Sequence, residues 1–319
     1  MVSVIIPNYN KSAFLRRSLN SVLAQTSSDW EAIVVDDRSD DGSWEVIREY
    51  AKRDSRIIAF RNENNKGGCH SRNRGAGAAR GKYLIFLDSD DWLADDCIGR
   101  RVEEFEREKN KSLDMLIFEM ATSCGGKIGQ NWNFGNRKNA ALSFLRHEIV
   151  WQTMMPIWRR DAFERVGGFD ESFPRLQDVE LHTRALLQGM NYRFAERKTP
   201  DCFYYIEESR MTMDHEAMAR KFAKAILQYV KKMSGLVRTS AERKALAESL
   251  MAAIRGIGDS FQAGKISRGL RDVLYGDILK NDRASNWVRL YAWFYLKGLN
   301  KMHGFNFLYR KTYRGATGD

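Results

Sequence analysis

Within the first 120 residues, short apolar runs alternate with amphipathic stretches, and this alternation constrains the fold more than any other feature. Residues 2–7 read as a strand. Residues 11–24 carry Phe14, Leu15, Ser18, Leu19, Val22 and Leu23 at helical spacing. Strands are then predicted at 30–36, 56–60, 83–88 and 115–120, and helices at 43–53, 68–79 and 95–108. Strands separated by helices imply βαβ units, a parallel sheet covered on both faces and right-handed crossovers.

Beyond this the pattern changes. Residues 123–139 are rich in Gly and Asn and read as a loop; helices are predicted at 160–166 and 178–187. From Asp214 the pattern is helical almost to the end, interrupted at Gly235, Gly256, Gly258, Gly264 and Gly298. Charge shifts at the same place. The chain has net charge +11, and residues 211–319 hold 20 Lys+Arg against 9 Asp+Glu, so the whole excess lies there. We therefore expect a boundary near residue 210, between an α/β domain at 1–210 and a basic helical region at 211–319. Hydrophobic residues make up 43% of the 319, enough for a buried core rather than a disordered chain. The four cysteines show no CxxC spacing, against a structural zinc site or a disulfide framework and in keeping with a reducing compartment. No signal peptide is read at the start, and no stretch reaches the roughly 18 apolar residues of a spanning helix. The expected location is cytoplasmic, at most peripheral on the cytoplasmic face of a membrane.

In an open α/β sheet, ligands bind beyond the carboxyl ends of the parallel strands. Here those ends carry Pro7-Asn8-Tyr9-Asn10, Asp36-Asp37 and Asp88-Ser89-Asp90-Asp91. Crowded carboxylates repel unless a cation neutralises them, and oxygen ligands with open positions suit Mg²⁺ or Mn²⁺. The simpler reading is that Asp90 or Asp91 caps the following helix. Gly75-Ala76-Gly77-Ala78-Ala79-Arg80-Gly81 approaches the dinucleotide fingerprint but has one residue too many, and it stands before a strand instead of after one.

Four segments, in order, resemble the signature of family 2 glycosyltransferases: VSVIIPNYN at 2–10, WEAIVVDDRSDDGS at 30–43, SRNRGAGAARGKYLIFLDSDD at 71–91 and VGGFDESFPRLQDVELHTRALLQG at 166–189. The resemblance covers about residues 1–205 and implies a GT-A fold, of α/β class, with a catalytic domain at 1–210 made of a nucleotide-sugar-binding half at about 1–120 and an acceptor half at about 121–210, and a nucleotide-sugar donor, most simply a UDP-sugar. It implies that Tyr9, beside Pro7, stacks on the base, that Asp37 accepts from the uracil N3–H, and that Arg72 holds the diphosphate or the sugar. Asp88, Ser89 and Asp90 form the DxD segment, with Asp88, Asp90 and Asp91 as metal ligands. Asp178 stands at the position of the catalytic base, which deprotonates an acceptor hydroxyl for a single, inverting displacement.

Two departures stand out. The family usually has Glu-Asp where this chain has Gln177-Asp178. Relatives often carry a His after the acceptor region, where this chain reads Tyr204-Tyr205-Ile206-Glu207-Glu208-Ser209; His215 is the nearest substitute. Arg184 reads either as a residue that orients the site or as an ion-pair partner. Trp151, Trp158 and Gln177 are candidate acceptor contacts, with core packing as the alternative for the two tryptophans.

Near the end, Trp287, Leu290, Tyr291 and Phe294 share a helical spacing beside Arg289, Lys297 and Lys301, and Phe305, Phe307, Leu308, Tyr309, Arg310 and Lys311 follow. Such a segment, 284–314, suits either a membrane interface or a helical subdomain or homo-oligomer contact. The expected partners are a nucleotide-sugar and a glycan or lipid-linked acceptor, and not nucleic acid. A nucleotidyltransferase would usually need a Gly-rich basic loop after the first strand, which Asn8-Tyr9-Asn10-Lys11 is not. A nucleic-acid binder using the basic tail would have no use for a neutral, acid-edged N-terminal region.

Overall fold

A computed structural model describes residues 1–107, 110, 112–132, 137–206 and 214–301. In chain order the elements are β1 (Val2–Asn8), α1 (Ser12–Leu23), β2 (Trp30–Asp36), α2 (Ser43–Arg53), β3 (Ile57–Arg61), α3 (Gly68–Gly77), β4 (Tyr83–Phe86), β5 (Trp92–Leu93) and α4 (Cys97–Glu106). They continue with β6 (Met115–Ile117), β7 (Met120–Cys124), β8 (Lys127–Asn131), α5 (Ala140–Leu145), β9 (Pro156–Arg159), α6 (Arg160–Val166), α7 (Gln177–Leu187), β10 (Tyr192–Phe194) and β11 (Cys202–Tyr205). The helices α8 (His215–Ser234), α9 (Ser240–Gln262), α10 (Arg268–Leu279) and α11 (Asn286–Leu296) complete the described chain.

The chain forms two compact units, Met1–Gly135 with Ile149–Met211, and Asn136–Glu148 with Thr212–Asp319. The second unit includes residues 136–148, which the sequence reading placed in the acceptor half.

In the first unit a seven-stranded sheet has the order β10-β6-β9-β4-β1-β2-β3. Strands β1 to β4 pair in parallel and β9 runs antiparallel between β4 and β6. The chain lays β2 and β3 on one side of β1 and returns to place β4 on the other. The strand order therefore switches between β1 and β4, and a crevice opens beyond their carboxyl ends. All seven residues of β1 and of β2 are buried, as expected for central strands covered on both faces. Gly75 lets α3 approach the sheet: a Cβ there would lie 2.6 Å from Ile5 Cγ2. Of the near-fingerprint glycines, Gly75 thus serves helix–sheet packing, whereas a Cβ on Gly77 would meet nothing within 4 Å.

A second sheet, β5-β11-β7-β8, lies in the same unit. The turn of its β7–β8 hairpin and the whole of β8 fall within 123–139, which reads as a loop in sequence. Gly125 and Gly126, at φ 54° and 77°, make the tight turn, and every residue of β8 is exposed, so no apolar alternation marks the strand. A buried ion pair fixes α4 to the segment before β11. Arg101 donates to both oxygens of Asp201 at 2.8 and 2.6 Å and to the Met154 carbonyl.

In the second unit, α9 packs against α5, α8, α10 and α11. A capping box starts it, with Thr239 accepting from the Glu242 amide and Glu242 accepting from the Thr239 amide. Gly256 and Gly258 lie inside α9 and do not break it. A Cβ on Gly258 would meet Tyr295 and the Tyr275 hydroxyl at 2.4 and 2.6 Å, so the glycine admits two aromatic side chains. The predicted aromatic stripe of α11 is divided. Tyr291 faces inward with Val288, Ala292 and Tyr295, while Leu290, Trp293 and Leu296 are 41%, 46% and 43% exposed. Residues 302–314 of the predicted membrane segment lie outside the described residues. Among the described residues, no helix is long and apolar enough to cross a membrane.

Candidate functional site

A pocket of about 170 Å³ opens beyond β1, β2 and β4, lined by Pro7, Asn8, Tyr9, Lys11, Asp37, Gly68, Ser71, Arg72, Asp88, Ser89 and Asp90. Every predicted donor-side residue is in that lining. Tyr9 is 49% exposed, so its ring is open to a ligand.

Asp37 is buried and already accepts three hydrogen bonds: Asn62 Nδ2 at 2.7 Å, the Lys66 amide at 2.8 Å and the Gly67 amide at 2.7 Å. A carboxylate has roughly four lone-pair sites, so one acceptor position is left while the other three fix the turn into α3. Gly67 makes that turn at φ 88°. Asn62 also donates to Ser71 Oγ, and Arg74 donates to Asn62 Oδ1, so the support of Asp37 runs into α3. Asn62 carried no signal in the sequence, because it is an ordinary residue after an edge strand.

The four residues of the acidic segment have different surroundings. Asp88 Oδ1 receives Arg72 Nη2 at 2.5 Å. Asp90 Oδ2 pairs with Lys11 Nζ at 3.0 Å, and its carbonyl accepts from Arg17 Nη2 at 2.6 Å. Arg17 is held between the rings of Trp92 and Tyr205, at 4.2 and 4.4 Å from their centroids. Ser89 is buried at the pocket wall. Asp91, grouped with the metal ligands in the sequence reading, instead turns inward. It is 1% exposed, Oδ1 accepts the Tyr205 amide at 2.7 Å, and Oδ2 is buried without a partner. Burial, with the charges of Asp88 and Asp90, raises its pKa well above the carboxylate range.

Arg72 joins this pocket to α7: its Nη1 donates to Gln177 Oε1 at 3.0 Å. Asp178 follows as the second residue of α7. Burial pushes its carboxyl pKa up, against the lowering effects of the Val179 amide and the Arg72 charge. The turn before it is strained, since Leu176, a bulky residue, has φ 63°. Arg184 proves to be a structural partner. It pairs with Glu180 at 2.7 Å and donates to the carbonyls of Val166 and Gly168, securing the turn before α7.

The tryptophan platform is not there. Trp151 and Trp158 are both 0% exposed, and each packs on His182, with ring centroids at 5.5 and 6.0 Å. A fully enclosed indole presents no face to a sugar. His215 begins α8 in the second unit, next to the helix cap Asp214; Glu207, Glu208 and Ser209 lie outside the described residues.

Among the described residues, no three His, Cys, Asp or Glu side chains are grouped so as to hold a metal ion by themselves. The donor set in the pocket still fits one. Mg²⁺ and Mn²⁺ commonly take one or two carboxylates and leave their other positions to phosphate oxygens and water, and Asp88 and Asp90 are two carboxylates on one pocket wall.

Residues 3–167, more than half of the chain, match the profile of Glycosyl transferase family 2. The chain belongs to that family. It is 32% identical over 206 residues to the uncharacterized glycosyltransferase EpsJ of Bacillus subtilis, covering 62% of this chain and 57% of that one. It is 40% identical over 125 residues to the putative teichuronic acid biosynthesis glycosyltransferase TuaG of the same organism, covering 39% and 49%. The chain thus spans about half the length of these curated relatives. Among solved structures, the chain is similar to S. aureus TarS 1–349 in complex with UDP-GlcNAc, with TM-score 0.64, 19% identity, and 93% and 92% of the two chains covered. It is also similar to a Pyrobaculum calidifontis mannosyltransferase in complex with GDP-Man and Mn²⁺, with TM-score 0.54, 17% identity, and 95% and 87% covered. These likenesses establish the fold as GT-A-type.

Proposed function

We propose that this enzyme transfers a sugar from a UDP-sugar to a hydroxyl of a glycan or lipid-linked acceptor in surface polysaccharide synthesis, by one inverting displacement. The observation that carries this reading is the link through Arg72, which joins the pocket carboxylate Asp88 to Gln177, the neighbour of the raised-pKa carboxyl of Asp178.

In this reading Tyr9 stacks on the uracil, and the remaining acceptor position of Asp37 takes the uracil N3–H. Arg72, charged and largely buried, orients the diphosphate or the sugar. Asp88 and Asp90 would hold a divalent cation, whose chemistry is to neutralise charge on the departing nucleotide diphosphate. Asp178 takes the proton of the acceptor hydroxyl as that oxygen attacks the anomeric carbon opposite the leaving group. A pKa raised toward the working pH makes a carboxylate a better base for this task. That UDP-GlcNAc is the ligand of TarS, and that a relative from Escherichia coli is named for glucosyl transfer to a diphosphoundecaprenol acceptor, support a UDP donor and a lipid-linked acceptor.

The test is to incubate the protein with Mn²⁺ and a panel of nucleotide-sugars and to measure free UDP or GDP. Release from a UDP-sugar is expected; a protein that neither binds nor cleaves any donor is not a glycosyltransferase of this type.

The same reading places the enzyme at the cytoplasmic face of a membrane. The outer face of α11 presents Leu290, Trp293 and Leu296 between Arg289 and Lys297, and the helix contains no acidic residue. An apolar face bracketed by cations is complementary to anionic lipid.

A further inference from the structure

Helix α3 carries two sets of side chains. Gly68, Ser71 and Arg72 line the donor pocket. His70 and Asn73, three positions apart and so on one helix face, instead hold the segment 167–176 that leads into α7. Asn73 Nδ2 donates to the Phe169 carbonyl and Asn73 Oδ1 accepts the Phe169 amide, both at 2.8 Å. One side-chain amide, with a donor and an acceptor, thus pairs with the backbone of Phe169 as a neighbouring strand would. Asn73 Nδ2 also reaches Glu171 Oε1 at 3.0 Å, and Glu171 Oε2 lies 2.8 Å from His70 Nδ1.

This contact is built against local preference. Asn is unfavourable inside a helix, because its side chain competes for backbone groups, yet Asn73 stands in the interior of α3. Gly168, at φ 66°, admits it: a Cβ there would lie 2.7 Å from Asn73 Oδ1. The Phe169 ring is buried on Phe86 of β4 and Phe163 of α6, with centroids at 5.2 and 5.9 Å, and the Arg72 guanidinium lies over it at 5.3 Å. Phe169 is therefore fixed to the sheet by its ring and to α3 by its backbone. The positive φ of Leu176 and then Asp178 follow along the same segment. Such a turn persists only where its surroundings hold it.

Resting on the reading of Asp178 as the base, we propose that Asn73 is a positioning residue for transfer: through Phe169 and Glu171 it fixes the segment 167–176 and so sets where the Asp178 carboxylate stands relative to the donor pocket. Donor binding itself is left to the pocket-lining positions of α3.

The experiment crosses two substitutions in the full chain. It measures kcat for UDP release from UDP-GlcNAc, or from whichever UDP-sugar the wild type turns over, and UDP affinity in Mn²⁺ by calorimetry. Asn73→Ala is expected to lower kcat by about 10²-fold, the cost of misplacing a reacting group by about 1 Å, with UDP affinity unchanged. In the Asp178→Asn background the same substitution is expected to change kcat by less than about two-fold, because a base that is absent cannot be misplaced. A purely structural role would lower kcat alike in both backgrounds. Equal losses in the two backgrounds, an unchanged kcat, or a loss of UDP affinity overturn the proposal. If Asn73→Ala does not fold, as judged by its thermal melt, Glu171→Ala takes its place. That exposed position supplies only the outer ties, and its loss should lower kcat less, again only where Asp178 is present. An Asp178→Asn protein as active as the wild type would instead overturn the assignment of the base, so the two failures are distinct.

Discussion

Arg72 Nη1 donates to Gln177 Oε1 at 3.0 Å, and this hydrogen bond ties α3 to the first residue of α7, 105 positions later in the chain. The neutral Gln leaves the guanidinium's charge to Asp88 on one side and to Asp178 on the other. The pocket wall and the proposed base are thus held in one arrangement by a single planar cation.

Replacing Asp178 by Asn should remove the base and leave the pocket intact. Transfer is expected to fall by about 10²–10⁴-fold, the usual contribution of general base catalysis. UDP affinity, measured by calorimetry, should stay unchanged. A parallel loss of UDP binding would mean that Asp178 serves the donor and not the acceptor.

The pH dependence of transfer should follow from the same carboxyl. Burial raises the Asp178 pKa, and the base works only when ionised. Activity should therefore rise with pH, with a midpoint above the usual carboxylate value of about 4. Gln177→Glu sets a negative charge beside it and should move the midpoint of kcat further up; an unmoved midpoint would assign the titration to another group.

Arg72→Lys keeps the charge but loses the fork that spans Asp88 and Gln177. A charge-assisted hydrogen bond contributes about 1.5–3 kcal/mol. UDP binding should weaken by about ten-fold or more, measured by calorimetry in the presence of Mn²⁺.

Trp158→Ala tests the burial of the indole. A core position predicts a loss of about 3–5 kcal/mol in denaturant unfolding. A sugar platform would instead raise the acceptor KM and leave stability unchanged.

His182 is enclosed between Trp151 and Trp158, and burial lowers its pKa from 6.5 to about 3. The unfolded chain takes up this proton below pH 6.5, while the folded chain holds the ring neutral down to about pH 3. Stability from this group is complete above pH 6.5 and is lost as pH falls through that window, by at most about 1.4 kcal/mol per pH unit. His182→Gln should unfold more easily at neutral pH and lack this contribution to the acid slope, which denaturation series at pH 4.5–7.5 would show. Equal slopes for the two proteins would refute it.

Trp293→Ser removes the largest exposed ring of α11, and Arg289→Gln removes one of its flanking charges. Co-flotation with vesicles rich in anionic phospholipid should decrease in both, with roughly 1 kcal/mol attributable to the charge. Zwitterionic vesicles should bind the wild type weakly. Vesicle binding that neither variant alters would assign this face to another contact.

The sequence by itself determined the parallel layer and the residues at its carboxyl ends. Apolar runs such as residues 2–7 and 30–36, set between amphipathic stretches, read as buried strands of a parallel sheet, and the polar residues that follow them then stand on one rim. Tyr9, Asp37, Asp88 and Asp90 were legible for that reason. Periodicity reports that a side chain is buried or near a strand end, but not what it faces. Asp91, one residue beyond Asp90, could not be told from a ligand until the amide of Tyr205 was placed against it. Trp158 looked like an acceptor contact until antiparallel β9 enclosed it between β4 and β6, a strand with too few residues to leave its own pattern. The Lys11–Asp90 and Arg72–Gln177 contacts likewise join distant segments. They follow from the order in which strands assemble, because only the completed sheet brings the end of β1, the acidic segment after β4 and the start of α7 to a single crevice.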